Sequence, residues 1–135
     1  MLKRSYTTEL FGLTVKVGEP LLAGRRVGQS FRAYAANLSG IDVLIGTYNR
    51  LNSCDVVLHL QDSPDAMEDV VTSTVNTTLI RDCAFCAFTF APVAESANRD
   101  FYFWVESPDA ILGDCVTLFH NVEDGKLIFS QRYSL

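Results

Sequence analysis

Along most of the chain, apolar and polar residues alternate with a period of two, and the 3.6-residue period of an amphipathic helix is weak. Phe31, Ala33 and Ala35 alternate with Arg32, Tyr34 and Ala36, which predicts a strand over 29–36. Ile41, Val43, Ile45 and Thr47 share one face of the next strand, which ends in the polar stretch 49–53. Val56, Leu58 and Leu60 then alternate with Asp55, Val57, His59 and Gln61, the pattern of a strand with one face in water. His59 is therefore expected to face solvent, and Asp62-Ser63-Pro64-Asp65 supplies the closing turn. Residues 69–79 are rich in Val and Thr, whose branched side chains favour strands, with a short amphipathic helix around 65–71 as the alternative there. Further strands are predicted over 84–90, stopped by Pro92, and over 101–106, stopped by Ser107-Pro108-Asp109. Residues 115–120 and 126–130 flank a turn at 121–125, and 10–17 is one more candidate near the start.

Eight or nine short strands with turn residues between them, and no long helix, predict an all-β antiparallel sandwich of jelly-roll type. No repeat, low-complexity tract or linker interrupts the pattern, so residues 1–135 read as a single β-sandwich domain. A chain of this length buries roughly 70% of its unfolded surface and needs no disulfide or metal staple.

Charge narrows the partners. Eleven Lys and Arg against 16 Asp and Glu give a net charge of −5. An acidic surface repels nucleic-acid phosphates and anionic lipid, and the basic pairs Lys3-Arg4 and Arg25-Arg26 are too small to offset it. No apolar run approaches the ~18 residues of a membrane helix, and no apolar segment follows the basic start, so neither a membrane span nor a signal peptide is expected. A cytoplasmic location, or excision from a larger parent chain, fits that pattern.

Cys83-x-x-Cys86 has zinc-like spacing, but no second pair or His pair follows it. Residues three apart on a strand point to opposite faces, so a shared site would need a turn there. Cys86 and Cys115 lie in apolar runs and read as buried, reduced thiols. No metal and no cofactor is expected; calcium at Asp- and Asn-rich turns would need ligand spacing that no EF-hand-like motif provides.

Gln29-Ser30-Phe31, Ile41–Ile45 (IDVLI), Val56–Leu60 (VVLHL), Phe88–Pro92 (FTFAP), the Ser96-x-x-x-Asp100-Phe-Tyr-Phe segment and Glu106-Ser-Pro-Asp109 follow one another in order. Over about residues 27–120 this resembles the galactose-binding-domain-like jelly rolls, which include many carbohydrate-binding modules. The resemblance implies a β-sandwich and a sugar ligand. Similar modules are attached to bacterial carbohydrate-active enzymes and cell-surface polysaccharide proteins. It carries no ligand residue over by motif.

The residues themselves nominate binding rather than catalysis. His59 and His120 lie on separate strands, and the His-x-His of metal-binding cupins is missing. Asp42, Asp55, Glu106 and Asp114 are carboxylates that no spacing pairs across a cleft. On 101–106, Phe101, Phe103 and Val105 share one face and Tyr102, Trp104 and Glu106 the other. Glu106 seeks water, so Tyr102 and Trp104 are expected on an outer or concave sheet face, open to a sugar or covered by the N-terminal segment or a partner subunit. Tyr48, Asn49, Arg50 and Asn52 cluster hydrogen-bonding groups on one loop, with Arg99 expected at the same end of the sandwich. The expected function is a non-catalytic carbohydrate-binding or accessory module. The alternative is a structural or protein-interaction domain, one that forms a homo-oligomer included, without a sugar ligand.

Overall fold

A computed structural model of the chain describes residues 7–10 and 12–135. Ten strands run in order: β1 (Thr7–Leu10), β2 (Leu13–Val17), β3 (Arg26–Arg32), β4 (Leu38–Gly46), β5 (Asp55–Gln61), β6 (Val71–Asn76), β7 (Ala84–Val93), β8 (Asp100–Glu106), β9 (Thr117–Asn121) and β10 (Phe129–Tyr133). The one helical element among the described residues is a 3₁₀ turn at Thr77–Leu79, capped by the Asn76 side chain accepting from the Thr78 amide.

The pairing is that of one long antiparallel hairpin rolled up. β5 pairs with β6, β4 with β7, β3 with β8 and β2 with β9, so the tip of the hairpin is the loop over 62–70. Rolling then brings β8 against β5 and β9 against β4. The result is a four-stranded sheet in the order β3-β8-β5-β6, and a six-stranded sheet, β1-β2-β9-β4, in which β7 lies along the other edge of β4. β10 shares with β9 the edge of β4 that faces β2. Setting β1 and β10 aside, this is the eight-stranded double-sheet jelly roll.

The inward faces follow the alternation. Ile41, Val43 and Ile45 of β4, Val56, Leu58 and Leu60 of β5, Phe88 of β7, and Phe101, Phe103 and Val105 of β8 pack in one cluster. Its centre is aromatic: Phe31 stacks on Phe101 at 5.8 Å, and Phe129 meets Phe103 edge-on at 5.0 Å. Such pairs add roughly 0.5–1.5 kcal/mol beyond the area they bury.

Several boundaries differ from the sequence reading. The strand expected over 29–36 ends at Arg32, and the helix considered around 65–71 is a series of turns and bends. Pro92 does not stop β7, because β7 pairs only with β4 and its free edge needs no amide donor there. The strand expected over 126–130 begins at Phe129, since the turn after β9 closes with Gly125 N–H donating to the Asn121 carbonyl. The candidate 10–17 splits into β1 and β2, with Leu10 opposite Leu13. The six-stranded sheet is also apolar on its outer face, where Val15, Leu44, Phe119 and Ile128 form a second cluster.

Phe103→Ala is expected to cost ~3–5 kcal/mol of stability by urea denaturation, because a fully buried ring leaves a cavity facing both sheets. The thiols give a second measurement. Burial pushes the Cys86 thiol up to about 12, with the Asp42 charge adding to it, and Cys54 and Cys115 are buried as well. Ellman titration of the native protein is expected to spare all three, leaving half-buried Cys83 as the thiol that reacts; fast modification of Cys86 would contradict the packing.

Candidate functional site

Directly opposed residues of antiparallel strands share a face, so the register defines the outer surface of the four-stranded sheet. Across one row stand Gly28, Trp104, His59 and Thr72; beside it stand Ser30, Tyr102 and Gln61, and on the other side Arg26, Glu106, Val57 and Thr74. Tyr102 and Trp104 are therefore on the outer face, half-buried, as their parity predicts. Gly28 is what lets Tyr102 lie down, since a Cβ there would fall 1.9 Å from the phenol oxygen.

The indole is not bare. His59 stacks on it with ring centroids 3.8 Å apart and planes 8° from parallel, and the Arg26 guanidinium lies 4.6 Å from the ring centroid. Trp104 Nε1 is buried with no hydrogen-bond partner among the described residues, a deficit worth about 1–3 kcal/mol. His59 corrects the expectation of a solvent-facing ring: its face of the strand is as predicted, but stacking leaves its side chain 14% exposed.

His59 Nδ1 lies 2.6 Å from Asp69 Oδ2 and Nε2 lies 2.6 Å from Glu106 Oε2. Gln61 Nε2 donates to Asp69 Oδ1 at 2.9 Å. A neutral imidazole carries one N–H, so two such contacts require one further proton, on the ring or on a carboxyl. With both ring nitrogens engaged, none is left to accept a proton from a nucleophile. At Asp69, burial pushes the carboxyl up, but the hydrogen bonds from His59 and Gln61 outweigh it and hold the group below the ordinary aspartate value.

The loop over 47–54 is a second cluster, at one end of the sandwich. Tyr48 and Asn49 both adopt left-handed backbone, at φ 58° and 51°, which turns the chain sharply after β4. Arg50 lies 4.8 Å over the Tyr48 ring and donates from Nε to Asn52 Oδ1 at 3.0 Å. Asn52 is buried, donating to the Thr47 carbonyl at 3.1 Å and accepting from the Cys115 amide at 3.2 Å. Asn52 thus ties the loop to the segment before β9. Desolvation raises the Tyr48 phenol despite a hydrogen bond with Thr117 and the nearby Arg50 charge.

Arg99 is not at that end. It precedes β8, and Arg32 pairs with Asp100 there, whereas the 47–54 loop leads into the start of β5, which lies against the end of β8. The expectation of a shared end fails because two hairpin-linked strands exchange ends at every turn. Arg99 instead bonds Asp62 at 2.7 Å and lies 4.9 Å over the Phe101 ring.

Cys83 packs with the outer cluster around Leu44 while Cys86 belongs to the inner core, so the Cys-x-x-Cys pair is split across the sheet. Among the described residues, no three His, Cys, Asp or Glu side chains are placed to hold a metal ion, and no helix is long and apolar enough to cross a membrane. No protein-family model and no characterised protein matches the chain.

The sequence reading reached Tyr102 and Trp104 but missed their neighbours Arg26, His59, Gln61 and Asp69. The alternation Asp55-x-Val57-x-His59-x-Gln61 already put two of these on one outward face. What was not legible is which strand lies beside which.

Asp69 makes the cluster testable by pH. Its folded-state value is depressed, so its carboxylate contributes stability at neutral pH, and that contribution is lost as pH falls below the ordinary value of ~3.9 toward the folded one. Asp69→Asn is expected to lower the urea midpoint at neutral pH and to lose less on acidification to about pH 3 than the parent does. Equal acid losses in the two proteins would remove Asp69 from the account.

Proposed function

We propose that the domain is a non-catalytic carbohydrate-binding or accessory module whose ligand surface is the outer face of the β3-β8-β5-β6 sheet around Trp104. One observation carries this reading: two half-buried aromatic rings, Tyr102 and Trp104, stand on one sheet face among planar polar side chains that fix one another by hydrogen bonds. Sugars present C–H faces that pack on aromatic rings and hydroxyls that seek oriented donors and acceptors. At Trp104 such packing requires the sugar to displace the Arg26 guanidinium, because His59 already stacks on the indole. Side chains already held in place lose little rotamer freedom on binding. The resemblance of the strand-edge motifs to galactose-binding-domain-like modules points the same way, and the net charge of −5 argues against nucleic acid as the partner.

The test is a glycan panel followed by titration calorimetry and fluorescence, which has one source because the chain has a single Trp. Trp104→Ala is expected to fold, by its far-ultraviolet spectrum, and to bind the selected glycan ~1–3 kcal/mol more weakly, the scale of burying one large apolar group. A folded variant that binds as tightly as the parent would move the site off this face.

A second reading, a structural domain that pairs with another copy of itself, is favoured by Leu51, Leu79, Ile111 and Leu112. All four are exposed, Leu51 by 92%, on loops at the same end of the sandwich. Sedimentation tests it: a parent dimer that Leu51→Asp and Leu112→Asp convert to monomer supports pairing, and a monomeric parent dismisses it.

A further inference from the structure

We infer that the cleft at the open edge of the sandwich, between the start of β3 and β9, binds the carboxylate-bearing ring of an acidic sugar. The inference deepens the glycan reading and rests on it. The cleft has a volume of about 270 Å³, near the lower bound of ~300 Å³ for small-molecule sites, which suits one ring rather than a longer ligand. Pro20, Leu21, Val27 and Leu118 give it apolar walls, and Arg25, Arg26, His120 and the Arg25-paired Glu19 give it polar ones.

His120 is what marks the cleft as more than a packing gap. It alternates with Phe119, which faces outward, so His120 shares the inward face with Leu118. It is half-buried there and makes no hydrogen bond among the described residues. Its ring nitrogens keep access to solvent, so a hydroxyl-bearing ligand would take the place of water there. Gly18 makes the space: a Cβ there would fall 2.6 Å from the Leu118 carbonyl oxygen and 3.2 Å from the His120 ring.

The charge around the cleft selects the ligand. In a chain of net charge −5, this edge collects Arg25, Arg26 and, paired across from His120, Lys16. Arg25 bonds Glu19 at 2.6 Å and the Pro20 carbonyl at 3.3 Å, so its donors are partly used. Arg26 forms no hydrogen bond or ion pair among the described residues, and its guanidinium keeps its fork for a carboxylate. Burial, with the Lys16 charge adding to it, lowers the His120 value, so an anion bound beside it would draw that value back up.

The experiment follows the His120 ring by NMR, which is direct because the chain has two histidines, during titration with D-galacturonate, D-glucuronate, D-galactose, D-glucose and acetate. A uronate is expected to shift the His120 resonances, raise its titration midpoint, and bind at least tenfold tighter than its neutral counterpart. Arg26→Gln is expected to erase that preference while the fold is retained. Equal shifts with neutral sugars, or equal shifts with acetate, would overturn the acidic-sugar assignment. If no sugar moves His120 while a glycan quenches Trp104 fluorescence, this inference falls and the binding-module reading stands. If neither reporter responds to any sugar on the panel, both fall.

Discussion

Trp104 lies directly between Gly28 on β3 and His59 on β5, and almost every feature of the outer sheet face descends from that register. The side-chain period of a strand is two, so slipping β8 by one residue would send Trp104, Tyr102 and Glu106 into the core and bring Phe101, Phe103 and Val105 out. The slip is prohibited on both sides of the sheet. Inside, Phe101 and Phe103 are locked against Phe31 and Phe129. Outside, only a glycine opposite Trp104 leaves room for the Tyr102 ring. The core therefore positions the surface: the same contacts that bury three residues of β8 hold the other three at fixed spacing.

The polar cluster built on that spacing joins three separate pieces of chain. Asp69 comes from the loop at the tip of the rolled hairpin, His59 from β5 and Glu106 from the end of β8. Because the side chains of His59, Asp69 and Glu106 are 14–28% exposed, their mutual hydrogen bonds replace most of the water each would otherwise keep. Removing one member would leave the others desolvated without a partner, so the cluster behaves as a unit. A histidine with both nitrogens committed suits a fixed structural element better than a proton shuttle, and the cluster holds β5, the end of β8 and the 62–70 loop in one arrangement.

Strand alternation made the architecture readable. Where one face met water, as at Val56–Leu60, the pattern named the buried residues and the boundaries together. It failed where both faces are covered: the run Val43-Leu44-Ile45 has no polar interruption, and Leu44 belongs to a second cluster that an alternating reading treats as surface. It was also imprecise at ends set by turn hydrogen bonds, as after Asn121, because such bonds leave only a weak trace in side-chain polarity. Of the candidate site, Tyr102 and Trp104 came from parity within one strand. His59, Asp69 and Arg26 could not, since their proximity to Trp104 depends on long-range pairing. Arg99 was misplaced for the same reason: which loops share an end is a property of the winding, and local sequence does not encode it.

Arg26 sits where two demands meet. β3 is the edge strand of the small sheet, with Arg26 at its start and Arg32 at its end, and charged side chains on an edge discourage pairing with another sheet. That role needs charge but no particular geometry, and Arg32 meets it with a 3.8 Å ion pair to Asp100 and a hydrogen bond to the Asn98 carbonyl. Arg26 has no such carboxylate. It lies over the indole, where a cation gains roughly 0.5–1 kcal/mol at an exposed site, and it also lines the cleft that reaches His120. One guanidinium thus borders both the aromatic face and the edge cleft.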